Sequence, residues 1–377
     1  RDRLGNVIDE ARELRPATNG EDVVLSVDSD LQFVVVNQLK QAIKKHRAKA
    51  AAAIVLDAKT GEVLAMANLP TYDPNDRSSL RGANLRNRVF TDMFEPGSTL
   101  KPFTVALGLD RGLIRPLTKI DTGKGQLKIG PAVISDTEAK GVMTVEQVIE
   151  KSSNVGTSKI ALELESKDMW QFFYQLGFGQ APDVGFPGAA AGLVRPWNKW
   201  RPIEQATMSY GHGISVSLVQ LAQAYTVFAN EGRLIPVSLV RKSGKNDIEG
   251  REVISAQTAR QMLRMLEMAA GPEGTAPLAQ VQGFSVAGKT GTAHKQANGR
   301  YINKYVSSFV GLAPVSKPRI IVAVMVDEPN AGQYYGGLVA APIFSAIARN
   351  AMGRLGVEPD QLDRPRNYVS VKKGVAL

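Results

Sequence analysis

The chain has 377 residues, 44% hydrophobic and 22% charged, a balance that buries a sizeable core and excludes a disordered, collagenous or fibrous polymer. At about 100–200 residues per domain, the length points to two domains or one large α/β unit with an insertion. The formal net charge of +10 favours anionic partners. The absence of cysteine excludes a disulfide scaffold, a thiolate-bound zinc and a thiol nucleophile together.

In chain order, residues 1–22 are charged and end in a linker-like stretch around Pro16 and Gly20. Residues 31–45 have helical periodicity and lead into Lys40, Lys44, Lys45, Arg47 and Lys49. With no aromatic residues interleaved to stack bases, this basic run reads as a solvated helix end, not a nucleic-acid surface. Residues 53–57 and 62–67 flank Ala58-Lys59-Thr60-Gly61 and predict a hairpin with glycine in its turn. Because Pro102 lacks a backbone donor, a helix through 103–109 must begin at or just before Ser98. Residues 103–230 read as mostly helical, around 144–164, 168–176 and 217–230, with a further helix at 255–269. Strand-like segments then return at 284–293, 306–313 and 320–326, followed by a helix at 340–355 and a polar tail at 356–377. Strands at both ends of a helical block predict one antiparallel sheet built from both ends, flanked by helices, with a helical subdomain inserted at 103–230. Residues 205–230 and 329–348 are uncharged for nearly the length of a membrane span, but polar residues and Pro342 interrupt them, so both read as buried loop plus helix. The chain starts at Arg1, which reads as a fragment from which an anchor has been lost.

Three short motifs carry chemistry. Ser98 and Lys101 lie three apart at a helix start, one turn apart on one face, where an amine of lowered pKa could activate a hydroxyl. The helix end adds amide donors that suit an oxyanion. Ser152-Ser153-Asn154 opens a helical stretch and reads by itself first as a cap, and otherwise as a hydroxyl and amide facing a cleft. Lys289-Thr290-Gly291-Thr292 places a cation and two same-side hydroxyls on a strand, with Gly291 small enough for another backbone to lie close. Each is weak alone, since Ser370/Lys373 and Lys59-Thr60-Gly61 repeat two of the patterns elsewhere. Their ordered occurrence is the signature of serine β-lactamases and penicillin-binding proteins, with Ser-Ser-Asn in place of Ser-Asp-Asn.

Around these motifs, Phe94-Glu95-Pro96-Gly97-Ser98-Thr99-Leu100-Lys101-Pro102, the run 151–160 and the run 337–344 resemble class B penicillin-binding proteins, and among them the division-specific transpeptidases of Gram-negative bacteria, the penicillin-binding protein 3 type. The similarity covers about residues 23–355, and residues 1–22 resemble the end of that family's N-terminal pedestal.

The resemblance implies the transpeptidase α/β (α+β) fold: an antiparallel five-stranded sheet flanked by helices, with an inserted all-helical subdomain. It implies Ser98 as acylated nucleophile and Lys101 as its base, with Ser152 relaying a proton. Asn154 would hold Lys101 and the substrate amide, Lys289 would keep the cleft positive, and Thr290 and Thr292 would bind a terminal carboxylate across Gly291. Backbone amides of Ser98 and Thr292 would form the oxyanion hole. Partners would be D-Ala-D-Ala stem peptides, β-lactams at Ser98 and, through the N-terminal part, membrane proteins of the divisome; no nucleic acid is expected. The implied setting is the periplasmic part of an inner-membrane-anchored protein that cross-links the wall at the septum.

His212 could contact ligand or pack in its loop, and Tyr334 and Tyr335 could wall the site or cover an apolar helix. The three histidines, His46, His212 and His294, offer no metal-ligating spacing, and neither metal nor cofactor is expected. A β-lactamase, a D,D-carboxypeptidase and a non-enzymatic β-lactam sensor are the rival readings. Against fast hydrolysis, Asp183 and Glu204 are the only acids between 172 and 205.

Overall fold

The computed structural model describes residues 3–4, 18–244, 249–297 and 299–361. Most of the predicted linker, the tail beyond 361 and the Ser370/Lys373 pair lie outside the described residues.

Five strands form the central sheet: β1 (Ala50–Asp57), β2 (Val63–Leu69), β3 (Ala287–Ala297), β4 (Arg300–Ala313) and β5 (Ile320–Asp327). Their order is β2-β1-β5-β4-β3, with every neighbouring pair antiparallel. The two halves of the chain close on each other where Ala50 pairs with Asp327 and Asp57 with Ile320. Every residue of β1 and β5 is buried. The strand period of two therefore sends Ile54 and Leu56 to one core, and Ala53, Val55, Val322 and Val324 to the other. The Lys59-Thr60-Gly61 repeat is the β1–β2 turn, held by Asp57 Oδ1 accepting from the amides of Lys59 and Thr60.

One face of the sheet is covered by α1 (Ser29–His46) and the C-terminal helix Ala341–Arg354. In α1, Asp28 caps the first turn, and Leu31, Val35, Leu39 and Ala42 form a buried stripe at helical spacing. On the other face, α2 (Lys101–Asp110) runs through the core with all but its last residue buried. A 3₁₀ turn, Gly97–Leu100, precedes it, and Pro102 occupies its first turn.

The stretch expected as one helix over 144–164 is two, Val145–Glu150 and α3 (Asn154–Leu162), broken at Ser152. Two local features make the break: Ser152 has φ +60, and Ser153 caps α3 by accepting from Gly156 N at 2.8 Å. The segment 103–230 is also not all-helical. Lys119–Asp121 pairs with Val142–Thr144, and Gln126–Ile129 with Ala132–Ser135. Period-two alternation in Gln126–Ile129 sets Leu127 and Ile129 against a small core around Val155 and Tyr210. Farther along, α4 (Ala256–Ala270) packs beside β3, and α5 (Ala341–Arg354) is the C-terminal helix already placed. The first residues of the predicted tail are fastened to the body. Asp360 accepts from Ser285 N at 2.7 Å and Ser316 Oγ at 2.7 Å, and Gln361 N donates to Gly283 O at 3.1 Å.

Candidate active site

The three motifs converge where the start of α2, the break before α3 and the edge strand β3 meet. Ser98 is held by its turn: Gly97 has φ +56, Thr99 Oγ1 donates to Pro96 O at 2.8 Å, and the buried Tyr225 hydroxyl donates to Thr99 O at 2.8 Å. The turn lies directly against β3. A Cβ on Gly291 would stand 2.3 Å from Ser308 Oγ and 2.7 Å from Pro96 O, so only glycine permits this approach.

One turn into α2, Lys101 is fully buried, and its ammonium donates to Ser152 O at 2.5 Å and Ser152 Oγ at 3.1 Å. Lys289 is also fully buried and donates to the same Ser152 Oγ at 2.9 Å and to Thr290 Oγ1 at 3.4 Å. Thr290 Oγ1 continues the chain to Thr275 Oγ1 at 3.0 Å. One hydroxyl thus lies between two buried lysines, on a residue whose left-handed backbone delivers both its carbonyl and its side chain to the site.

Burial drives the Lys101 pKa well below the ordinary lysine range; the neighbouring Lys289 charge adds to this and Asp136 opposes it. Burial alone lowers Lys289 to about 7. An amine of lowered pKa one turn along α2 from Ser98, sharing a hydroxyl with a second buried lysine, is suited to proton abstraction and relay.

Other expected residues take different positions. Asn154, expected to hold Lys101, donates its side-chain amide to Ser135 O at 3.0 Å, and Lys101 is held by Ser152. Thr292 Oγ1 accepts from Gly336 N at 3.0 Å, tying β3 to the loop that carries Tyr334 and Tyr335. Tyr334 stacks on Tyr305 with ring centroids 4.0 Å apart, and Tyr335 leans on Tyr334 at 4.7 Å while remaining 50% exposed. His212 packs between Tyr210 at 5.0 Å and Tyr301 at 5.9 Å. Burial, with the charges of Lys101 and His294, lowers its pKa to about 4, so it is neutral at pH 7. His294 rests against Tyr305 at 4.5 Å.

Two carboxylates escaped sequence reasoning. Asp136 accepts from Asn154 N at 2.5 Å, Val155 N at 3.0 Å and Ser153 Oγ at 2.7 Å. From the end of a small hairpin it thus holds the first amides of α3 and the Ser153 hydroxyl. Glu95 accepts from Gly213 N at 3.0 Å, Gln296 Nε2 at 2.8 Å and Tyr301 OH at 3.0 Å, pinning the outer part of β3 to the residues before Ser98. Its place within the Phe94–Pro102 run was the one available signal; Asp136 had none.

A serine and a buried lysine one turn apart at a helix start, with an edge strand bearing Lys-Thr-Gly-Thr beside them, form the arrangement of an acyl-serine transferase site. Residues 51–349 match the model of the penicillin binding protein transpeptidase domain, and the chain belongs to that family. It is 45% identical over 362 residues to a probable peptidoglycan D,D-transpeptidase PenA of Neisseria flavescens, covering 95% of this chain and 90% of that protein. To the peptidoglycan D,D-transpeptidase FtsI of Escherichia coli K12 it is 38% identical, over 96% of this chain but only 61% of that protein. The apo transpeptidase domain of Burkholderia pseudomallei penicillin-binding protein 3 superposes with TM-score 0.83 at 48% identity, covering 91% of this chain and 99% of that one.

Proposed function

We propose that this chain is the catalytic part of a peptidoglycan D,D-transpeptidase that cross-links stem peptides at the septum. Lys101 takes the Ser98 proton, and Ser98 Oγ attacks the carbonyl between two D-alanines. The Ser98 and Thr292 amides hold the oxyanion. Ser152 relays a proton to the departing D-alanine amine, and the acyl group then passes to the amine of a second stem, regenerating the serine. Asn154 Oδ1 accepts from the substrate amide, Thr290 and Thr292 bind the terminal carboxylate, and Lys289 keeps that end of the cleft positive. Tyr334, Tyr335 and His212 bound the substrate cleft.

The observation that carries this reading is the buried Lys101–Ser152–Lys289 hydrogen-bond chain beside the Ser98 turn. A β-lactam opened by the same attack leaves no departing group, so its acyl-serine persists. Against the hydrolase alternative, Glu204 is held by Arg201 at 2.6 Å and Asp183 is exposed. The Asp136 and Glu95 carboxylates are taken up by the backbone and side-chain donors described above.

The chain spans only 61–63% of the length of several of its relatives. No described helix is long and apolar enough to cross a membrane. We place the domain in the periplasm, anchored to the inner membrane and joined to divisome membrane proteins through a preceding segment. Intact mass after incubation with penicillin tests the chemistry. The expected result is one lasting adduct on the wild type and none on Ser98→Ala; an adduct lost within seconds supports a hydrolase, and no adduct on the wild type rejects the assignment.

A further inference from the structure

β3 carries Lys289, Thr290 and Thr292 at the edge of the sheet, paired with β4 alone among the described residues. A strand with one neighbour opens most readily from its ends, where the fewest bonds hold it. Lys289 is only the third residue of β3, so opening from the near end reaches the buried ammonium that donates to Ser152 Oγ. The two ends of the strand are each fastened by a carboxylate from elsewhere in the chain. Glu95 holds the outer end through Gln296 and Tyr301. The near end is held by the segment that follows α5.

That segment turns back on the body. Gly356 takes the left-handed conformation with φ +61, Val357 N donates to Met352 O at 3.0 Å, and Leu355 and Val357 pack against the core on the α5 side of the sheet. Pro359 then lies over Gly283, where a Cβ would stand 3.4 Å from the proline ring. Asp360 comes next and meets Ser285, which is buried two residues before β3. One carboxylate oxygen accepts from Ser285 N at 2.7 Å; the other accepts from Ser285 Oγ and from Ser316 Oγ, the latter at 2.7 Å. Ser285 Oγ in turn accepts from Val315 N at 2.8 Å. Partial burial opposes ionisation of Asp360, but the hydrogen bonds from the two serines prevail and hold its pKa below the ordinary carboxylate value. A single ionised group thus joins the segment after α5, the approach to β3 and the turn between β4 and β5.

We propose that Asp360 is a positioning residue for acylation: by holding Ser285 it stops β3 opening from its near end and keeps Lys289, Thr290 and Thr292 against the Ser98 turn. It touches no reacting group and lies outside all three motifs. The proposal rests on the acyl-serine reading of Ser98.

The test compares the wild type with Asp360→Ala, Asp360→Asn and Ser316→Ala. Acylation by a fluorescent penicillin is measured well below each melting transition and resolved into a binding constant and a first-order acylation rate, and amide hydrogen exchange is followed along β3 and β1. Asp360→Ala is expected to slow the acylation rate by about three- to tenfold, a fraction of the roughly hundredfold that misplacement by about 1 Å costs, with faster exchange over 286–291 and unchanged exchange in β1. Asp360→Asn keeps an acceptor for Ser285 N and should fall between Asp360→Ala and the wild type. Ser316→Ala frees only the β4–β5 turn and should acylate at the wild-type rate. A lower melting temperature with an unchanged acylation rate would make Asp360 a structural clasp alone and overturn the proposal. So would equal slowing by Ser316→Ala and Asp360→Ala, because the effect would then run through the turn and not through β3. If Asp360→Ala does not fold, Asp360→Asn decides: a slowed rate with faster exchange over 286–291 supports the proposal, and a wild-type rate overturns it. These outcomes leave the Ser98 chemistry standing, whereas a wild type that penicillin does not acylate overturns the reading of Ser98 and this proposal with it.

Discussion

Lys101 and Lys289 are both fully buried, and both donate to one hydroxyl, Ser152 Oγ. Two cations in that arrangement cannot both keep their protons cheaply, because burial disfavours each charge and the Lys289 charge further disfavours that of Lys101. Lys101 is displaced well downward, by burial first and then by Lys289. A general base works only in its deprotonated form, so acylation is suppressed below the Lys101 pKa and levels off above it. With that pKa well below the ordinary lysine value near 10.4, the penicillin acylation rate of the wild type should rise by clearly less than about tenfold per pH unit between about pH 7.5 and 9.5 and level off before the ordinary lysine range. A rate that climbs about tenfold per pH unit through that range would mean that Lys101 titrates as an ordinary lysine, and would remove it as the base.

At the scale of elements, the site exists because β3 is an edge strand pressed against the turn that holds Ser98. Gly291 sets that spacing. Its missing side chain makes room for Pro96 O and Ser308 Oγ, and a Cβ on Gly336 would in turn stand 2.4 Å from Gly291 O. Gly291→Ala must push the strand away from the serine turn or distort both. Overpacking of this kind costs about 1–3 kcal/mol, and misplacing the reacting groups by about 1 Å costs roughly a hundredfold in rate. The expected outcome is a folded protein with a lower melting temperature and penicillin acylation slowed by about tenfold or more. Unchanged acylation would show that the strand-to-turn spacing does not position the chemistry. The break before α3 works in the same way: Ser152 reaches both lysines only because the helix stops there, and the Asp136 carboxylate holds the first amides of the new helix.

Across the whole molecule, strands separated by most of the chain close one sheet, and an ion cluster marks the junction. Glu328, just past β5, pairs with Lys49 before β1 at 3.1 Å, with Lys295 on β3 at 2.7 Å and with Lys304 on β4 at 2.6 Å. Partial burial opposes ionisation, but the three lysines win and lower its pKa to about 2. A carboxyl with a depressed folded-state pKa contributes stability that is present above its unfolded value, near 4.3, and is lost as pH falls toward about 2. Glu328→Gln should therefore lower the melting temperature at pH 7 and flatten its acid dependence between about pH 4.5 and 2. Identical acid profiles for the two proteins would show that the cluster contributes nothing. Because Lys49 and Lys304 are largely solvent-exposed, part of the effect should be screened by salt.

Local rules operate within a few residues, and what they govern was legible in the chain itself. The strands at 53–57 and 320–326, the hairpin at Gly61 and the helix start at or just before Ser98 follow from apolar runs, a turn glycine and a proline without a donor. The ordered Ser98/Lys101, Ser152–Asn154 and Lys289–Thr292 set identified the family. Periodicity over 144–164 concealed the break at Ser152, although the capping reading of Ser152-Ser153-Asn154 marked where the second helix begins; the left-handed turn at Ser152 itself left no local trace. The four short strands between 119 and 144 were missed because segments of three or four residues carry too little alternation to read. Tertiary structure alone brought Asp136 to Asn154, tied Glu95 to the outer end of β3, and buried both lysines around one hydroxyl. Each depends on contacts between residues far apart in sequence, whose geometry is set only when the two ends of the chain close the sheet.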